Sequence, residues 1–335
     1  MLLSPWSIAL SLLSALVIAL SLLAGITAIK VIRFWDLSSD SNRQIRLENE
    51  TWLASTLVQY ALAFQIISLL LFVLAADQFS QVIAGAMCAT GSFTANVYGL
   101  PALAVKLVGL FLYGFWIVLN QFDISSENYP LLKQKYIFLL ALLPILILDV
   151  CLQTLYILKL EPDIITSCCA VVFGESSQSS SNLLGVFSQP TLLTLFYGAA
   201  TLILTLNYLW YRCNRMFLVH ANAAVWIVFL PIAFVAITTV FSSYVYAMPY
   251  HRCPFCIIKK EYYYIGLFQY ITLLGSVFFG VCVAPISMIV KNDDLQQYLK
   301  QFIRFSVYLS SILLVMFIAL TSYHLILYRF AGGES

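Results

Sequence analysis

Between short polar clusters the chain is apolar over stretches long enough to cross a bilayer. No charged residue occurs from Trp6 to Ile29, and the same rhythm of polar boundary and apolar run continues to the end. A hydrocarbon core about 30 Å thick takes about 20 helical residues. Eight segments meet that length, at about 7–29, 52–75, 101–119, 136–158, 191–210, 223–246, 264–288 and 305–328. Lipid offers no partner to an unpaired backbone group, so these spans are expected as helices and not strands. The fold class that follows is all-α, a polytopic integral membrane bundle of about eight transmembrane helices. The first span lacks a positive n-region and outruns a signal-peptide core, so it reads as a retained helix.

Composition agrees. With 62% apolar and only 10% charged residues, the chain falls far below the roughly 25% charged share of a soluble domain. A soluble fold of this size could not cover itself. The net charge of +2, without any Lys/Arg run interleaved with aromatics, sets nucleic acid aside as a partner. There is no nucleotide-binding loop either, so any energy input has to come from a gradient, a partner or redox chemistry.

Loop charges give the orientation. Lys30, Arg33, Arg43, Arg46, Lys133, Lys135, Arg212, Arg215, Lys291, Lys300 and Arg304 fall on one side, eleven in all, against five on the other: Lys159, Arg252, Lys259, Lys260 and Arg329. The richer side is expected to be cytoplasmic, with both termini outside. The localisation this implies is the inner (cytoplasmic) membrane of a prokaryote. Loops 76–100, 159–190 and 247–263 then face the extracytoplasmic side, and Cys88, Cys168, Cys169, Cys253 and Cys256 all lie in them. Disulfides persist in oxidising compartments, but five is odd, so one outer thiol is left over, metal-bound or paired elsewhere.

Cys88 and Cys256 each precede a Gly-Leu pair, Gly99-Leu100 and Gly266-Leu267, at nearly the same separation. That hints at a four-plus-four parallel repeat, with halves 1–160 and 190–330 joined by a loop at 161–189. The small-residue segment from Ile83 to Asn96 reads as a short re-entrant or interfacial element, and the Ser-rich segment from Glu175 to Asn182 as a mobile loop.

The sharpest chemical feature is Cys253-Pro254-Phe255-Cys256. Two cysteines two residues apart can close a small disulfide ring, and His251, Arg252, Lys259 and Lys260 supply positive charge that favours a thiolate. A structural bridge and a metal half-site are the alternatives. The motif resembles the Cys-Pro-x-Cys centre of the thioredoxin superfamily over these four residues, without the alternating strands and helices of that fold. Outward cysteines on a helical bundle are also similar in arrangement to membrane thiol oxidoreductases of the vitamin K epoxide reductase type, which implies a quinone as electron carrier. On the redox reading Cys253 is the more exposed, attacking thiol and Cys256 the resolving one, with Cys88, Cys168 and Cys169 as exchange partners. On the metal reading His251 joins Cys253 and Cys256, with Met87, Cys88 and Met248 as further soft donors. Covalently attached haem is not expected, because residue 257 is Ile where Cys-x-x-Cys-His requires His, and His324 as the one histidine within a span leaves a bis-histidine haem without its second ligand.

Charges inside the spans are costly and carry weight. At about 1.5 Å per residue, Lys106 lies about 8 Å and Asp149 about 14 Å below the outer boundary, close enough to pair. They read as a buried ion pair or as a proton or quinone site, with Glu261 as an acid or base beside the thiols. Tyr244, Tyr246, Tyr250 and Tyr262–264 read as an interfacial aromatic collar. The expected function is a thiol–disulfide or electron relay working with a membrane electron carrier and an extracytoplasmic redox partner. The alternatives are a non-enzymatic subunit of a larger complex with structural disulfides, and a carrier of a soft metal or small solute.

Overall fold

The computed structural model describes residues 4–36, 41–126, 128–163, 188–248 and 251–331. Among these residues, eight helices are long and apolar enough to cross a membrane. They are α1 (Pro5–Phe34), α2 (Asn42–Ser80), α4 (Gly99–Ile124), α5 (Leu132–Leu158), α6 (Gln189–Cys213), α7 (residues 216–246), α8 (Ile265–Ile289) and α9 (Asp293–Ala331), with a short α3 (Ala89–Thr94) between the second and fourth. No strand occurs among the described residues. The chain is an all-α multi-pass membrane bundle, as its apolar rhythm predicts.

Local chemistry sets the helix ends. Ser4 and Ser41 cap α1 and α2 by accepting from the backbone N–H groups of Ser7 and Gln44, and Pro5 sits at the first turn, where its missing N–H does no harm. Asn214 closes α6 in the left-handed conformation that asparagine tolerates. Pro231 lies inside α7 without breaking it, and a π-helical turn follows at Ile237–Phe241. Within that stretch Thr238 and Thr239 donate to the carbonyls of Phe234 and Val235, both at 2.8 Å.

The helices sort into two compact units, one made chiefly of α1, α2, α4 and α5 and the other of α6 to α9. Residues Gly85–Gly91 belong to the second unit and Val290–Tyr298 to the first. In the first unit α1 buries Ser7, Leu10, Ser14, Val17, Ser21, Ala24, Ala28 and Val31. Their alternating steps of three and four form a seam of small residues, which lets α2 and α5 approach closely. Tyr136 on α5 ties to α2 through Ser55 Oγ at 3.0 Å and the Thr51 carbonyl at 3.0 Å.

A buried ion pair fastens α4 to α5. Lys135 Nζ lies 2.6 Å from Asp123 Oδ2 and donates to Asn120 Oδ1 at 2.9 Å, while Asp123 Oδ1 accepts the Leu131 N–H at 3.0 Å. Counted with the loop charges in the sequence, Lys135 is in fact buried inside α5. Without it the charge asymmetry is ten against five, and the direction is unchanged.

The second unit is filled with aromatics. Phe196, Phe229, Phe241 and Phe317 bring α6, α7 and α9 together with ring centroids 5.1 to 6.3 Å apart. A Cβ on Gly280 would fall 2.2 Å from Trp226 Nε1, so glycine is what lets α7 and α8 meet.

Lys135→Met, which strands the Asp123 carboxylate, is expected to destabilise the first unit by about 3–5 kcal/mol. The apolar double variant Asp123→Leu/Lys135→Met is expected to recover most of that loss. Thermal unfolding in detergent checks both, and a single variant as stable as the parent would show that the pair does not hold α4 to α5.

Candidate functional site: a buried three-thiol centre

After α7 ends at Ala247 in a left-handed turn, residues 251–264 fold as a compact loop with 3₁₀ turns at Cys256–Ile258 and Lys260–Tyr262. Tyr263 and Tyr264 both adopt positive φ, 54° and 56°, and swing the chain into α8. Tyrosine hydroxyls pin this loop. Tyr246 donates to the Cys253 carbonyl, and Tyr270 donates to the Pro254 carbonyl at 2.7 Å. Tyr246, expected in an interfacial collar, is instead buried, because its hydroxyl serves the loop backbone. Tyr263 and Tyr264 remain exposed as the collar expects.

The loop closes on α8 through Gly266. A Cβ there would meet the Ile257 backbone carbon at 2.8 Å and oxygen at 2.9 Å. Gly99, at the start of α4, is approached in the same way by the Phe93 backbone. Each Gly-Leu pair therefore marks a spot where the backbone of a short preceding helical turn, α3 or the Cys256–Ile258 turn, lies against the first turn of a spanning helix.

Within the second unit, Lys259 Nζ donates to the Met87 carbonyl at 3.2 Å and draws the segment carrying Cys88 against this loop. Cys88 Sγ comes to 3.4 Å from Cys253 Sγ, and Thr90 Oγ1 lies 3.3 Å from the same sulfur. The sulfurs of Cys88, Cys253 and Cys256 all fall within 4.8 Å of one another. Their residues are 1%, 0% and 6% exposed. The expected order of accessibility is thus reversed: Cys253 is wholly enclosed, and Cys256 is the more accessible of the pair. The loop packs down through its Tyr246 and Tyr270 clamps and carries Cys253 inward with it.

The other expected site residues lie elsewhere. His251 is not among the donors gathered around the sulfurs, and its ring packs edge-on against Tyr246 with centroids 4.5 Å apart. Glu261 is exposed on the second 3₁₀ turn. Desolvation, then the charges of Cys256 and Glu261, hold the neighbouring Tyr262 phenol above its ordinary pKa, so it stays protonated beside the centre. Cys168, Cys169 and the Ser-rich segment lie outside the described residues. Cys282 is buried alone in α8, whereas Cys151 and Cys213 are exposed on their helices. Thr90 and Tyr270 were not singled out from sequence, and Tyr246 only as part of the collar, because nothing in their spacing relates them to the thiols.

Lys106 and Asp149 do pair, in the first unit, with Nζ 3.0 Å from Oδ1. Gln65 Nε2 donates to Asp149 Oδ2 at 2.7 Å, and Lys106 donates to Ser68 Oγ at 3.0 Å.

Two outcomes follow from this packing. Maleimide applied to the folded protein is expected to modify Cys213 well before Cys88, Cys253 or Cys256, as read by peptide mapping; early labelling of Cys253 would contradict its burial. Gly266→Ala is expected to cost about 1–3 kcal/mol and to make the three thiols reactive. Gly198→Ala, where no atom lies within 4 Å of the added carbon, should leave both stability and reactivity intact.

Comparisons of the chain with protein-family models, curated proteins and solved structures found no match.

Proposed function

We propose that this is a membrane protein that binds and passes on a thiophilic metal ion at Cys88, Cys253 and Cys256. The observation that carries the reading is the enclosure of three sulfurs, from two separate segments, within 4.8 Å of one another. A thiolate–metal bond of about 2.3 Å places two sulfurs on one ion at most about 4.6 Å apart, so a small contraction closes the site. An all-sulfur donor set selects soft ions, and three donors suit an ion of low coordination number such as Cu(I). The bound thiolates carry negative charge, which Arg252, Lys259 and Lys260 on the same loop help to offset. Burial excludes water and oxidants.

An entry route fits the same chemistry. Met87 precedes Cys88 and Met248 lies shortly before Cys253; their residues are 72% and 52% exposed. Thioethers on the surface beside buried thiols offer a soft ion weaker ligands first and stronger ones after. The charge asymmetry of the loops favours an extracytoplasmic position for the centre, in the cytoplasmic membrane of a prokaryote, with an extracytoplasmic protein as donor or acceptor of the ion.

The close approach of Cys88 and Cys253 favours a second reading, the thiol–disulfide relay. There Cys253 bridges either Cys88 or Cys256. Forming a bridge releases two electrons and two protons to a quinone or to a partner disulfide, which is reduced to two thiols.

One experiment separates these. The protein purified without oxygen, exposed to Cu(I) alone and desalted, is expected to retain one ion per chain, and Cys88→Ser and Cys256→Ser are each expected to lose most of it. A metal-free protein, with two of the three sulfurs bridged when mapped in the native membrane, would overturn the metal reading and support the relay. Bridged sulfurs whose substitution lowers protein level and complex recovery together would point to a structural subunit.

A further inference from the structure

At the end away from the thiol loop, all four helices of the second unit contribute to the wall of a small cavity. Asn207 and Trp210 of α6, Asn222 of α7, Val283 of α8 and Ser310 of α9 line it. At the helical rise per residue, Asn222 stands roughly 36 Å along α7 from Tyr246, where the thiol loop is clamped. The hydrogen bonds beside the cavity all run one way. Asn222 Nδ2 donates to Asn207 Oδ1 at 2.9 Å, Asn207 Nδ2 donates to Ser311 Oγ at 2.8 Å, and Ser311 Oγ donates to the Val307 carbonyl at 2.7 Å. The chain ends on a pure acceptor.

Its head is open. Asn222 Oδ1 and Trp210 Nε1 are buried without a hydrogen-bond partner, and their residues, 5% and 7% exposed, both belong to the cavity wall. Buried polar atoms left unpaired in an apolar setting cost free energy. An indole N–H only donates and a carboxamide oxygen only accepts, so one guest that accepts from the first and donates to the second satisfies both. Size decides which guest. The cavity offers about 10 Å³ to the centre of a water molecule, which is room for one. Ser310 Oγ donates to the Val307 carbonyl at 3.1 Å and keeps lone pairs that a second O–H of the guest can use. No charged side chain lines the wall, so nothing there favours an ion over a neutral molecule.

We infer that this cavity is a binding site for a single water molecule, which accepts from Trp210 Nε1, donates to Asn222 Oδ1 and completes one continuous chain of hydrogen bonds across the unit. The chain then starts on a pure donor, passes from α6 to α7, returns to α6 at Asn207 and ends on α9. Each donor in it polarises the next, so the water strengthens links it does not touch. The site joins three helices through polar contacts at a depth where lipid supplies none. It stands apart from the thiol centre and holds whichever chemistry that centre performs.

The test reads the indole N–H signals of the full chain, carrying isotopically labelled tryptophan in detergent micelles, for rotating-frame Overhauser cross-peaks to water. The sequence has six tryptophans, and Trp210→Phe and Trp116→Phe identify the two signals needed. Trp210 is expected to show the cross-peak. Trp116, whose indole donates to the Lys135 carbonyl at 3.0 Å within the first unit, is the enclosed control and is expected to show none. Ser310→Ala is expected to keep the Trp210 cross-peak; its loss there would assign the signal to the serine hydroxyl and overturn the site. Asn222→Leu, which removes the acceptor and fills the space, is expected to abolish it, and survival of the cross-peak in that variant would count equally against the water. If Asn222→Leu does not fold, the wild-type and Ser310→Ala spectra decide. A Trp210 signal with no more contact to water than Trp116 would make the cavity dry and overturn the inference.

Discussion

Hydrocarbon accepts no hydrogen bond and donates none, and every part of this molecule answers to that condition. It forces the backbone into helices wherever lipid surrounds the chain. At the π-helical turn of α7, the hydroxyls of Thr238 and Thr239 return to carbonyls of their own helix. Irregular backbone is therefore met chiefly in the loops, and the buried lysines and aspartates Lys106, Asp149, Lys135 and Asp123 occur as partners of one another. The thiol loop and the Lys106–Asp149 pair illustrate the two kinds of place this condition leaves open.

How much of this was legible beforehand varies with the distance over which the information acts. Helical spans depend on consecutive residues, and all eight could be read. The pairing of Lys106 with Asp149 depended on depth alone, which a rise per residue supplies. The pairing of Asp123 with Lys135 was missed because both lie just beyond the ends of the apolar runs, where a charge looks like a boundary. The meeting of Cys88 with Cys253 and Cys256 is a tertiary fact. Spacing within Cys253-Pro254-Phe255-Cys256 identified two of the sulfurs, but only the Lys259 bond to the Met87 carbonyl explains the third. Burial of Cys253 was equally invisible, since it follows from tyrosine hydroxyls that read as interfacial anchors.

The contrast between the two ion pairs shows why burial alone says little about role. Both are enclosed and both link α4 to α5. What separates them is the company they keep: Asn120 and the Leu131 N–H complete the one, whereas Gln65 and Ser68 of α2 bind into the other and tie a third helix to the pair. The thiol centre adds a third kind of enclosed cluster, in which three sulfurs from two segments share one pocket.

The sulfurs of Cys88 and Cys253 belong to residues 165 apart in the chain. At a synthesis rate of about 5–20 residues per second, Cys88 emerges roughly ten to thirty seconds before its partners exist. During that interval it is a solitary thiol next to a flexible segment, and the enclosure that later protects it cannot form until the sixth span is in place. The growing chain therefore passes through a window in which Cys88 is open to mispairing. Insertion of α7 and α8 closes it.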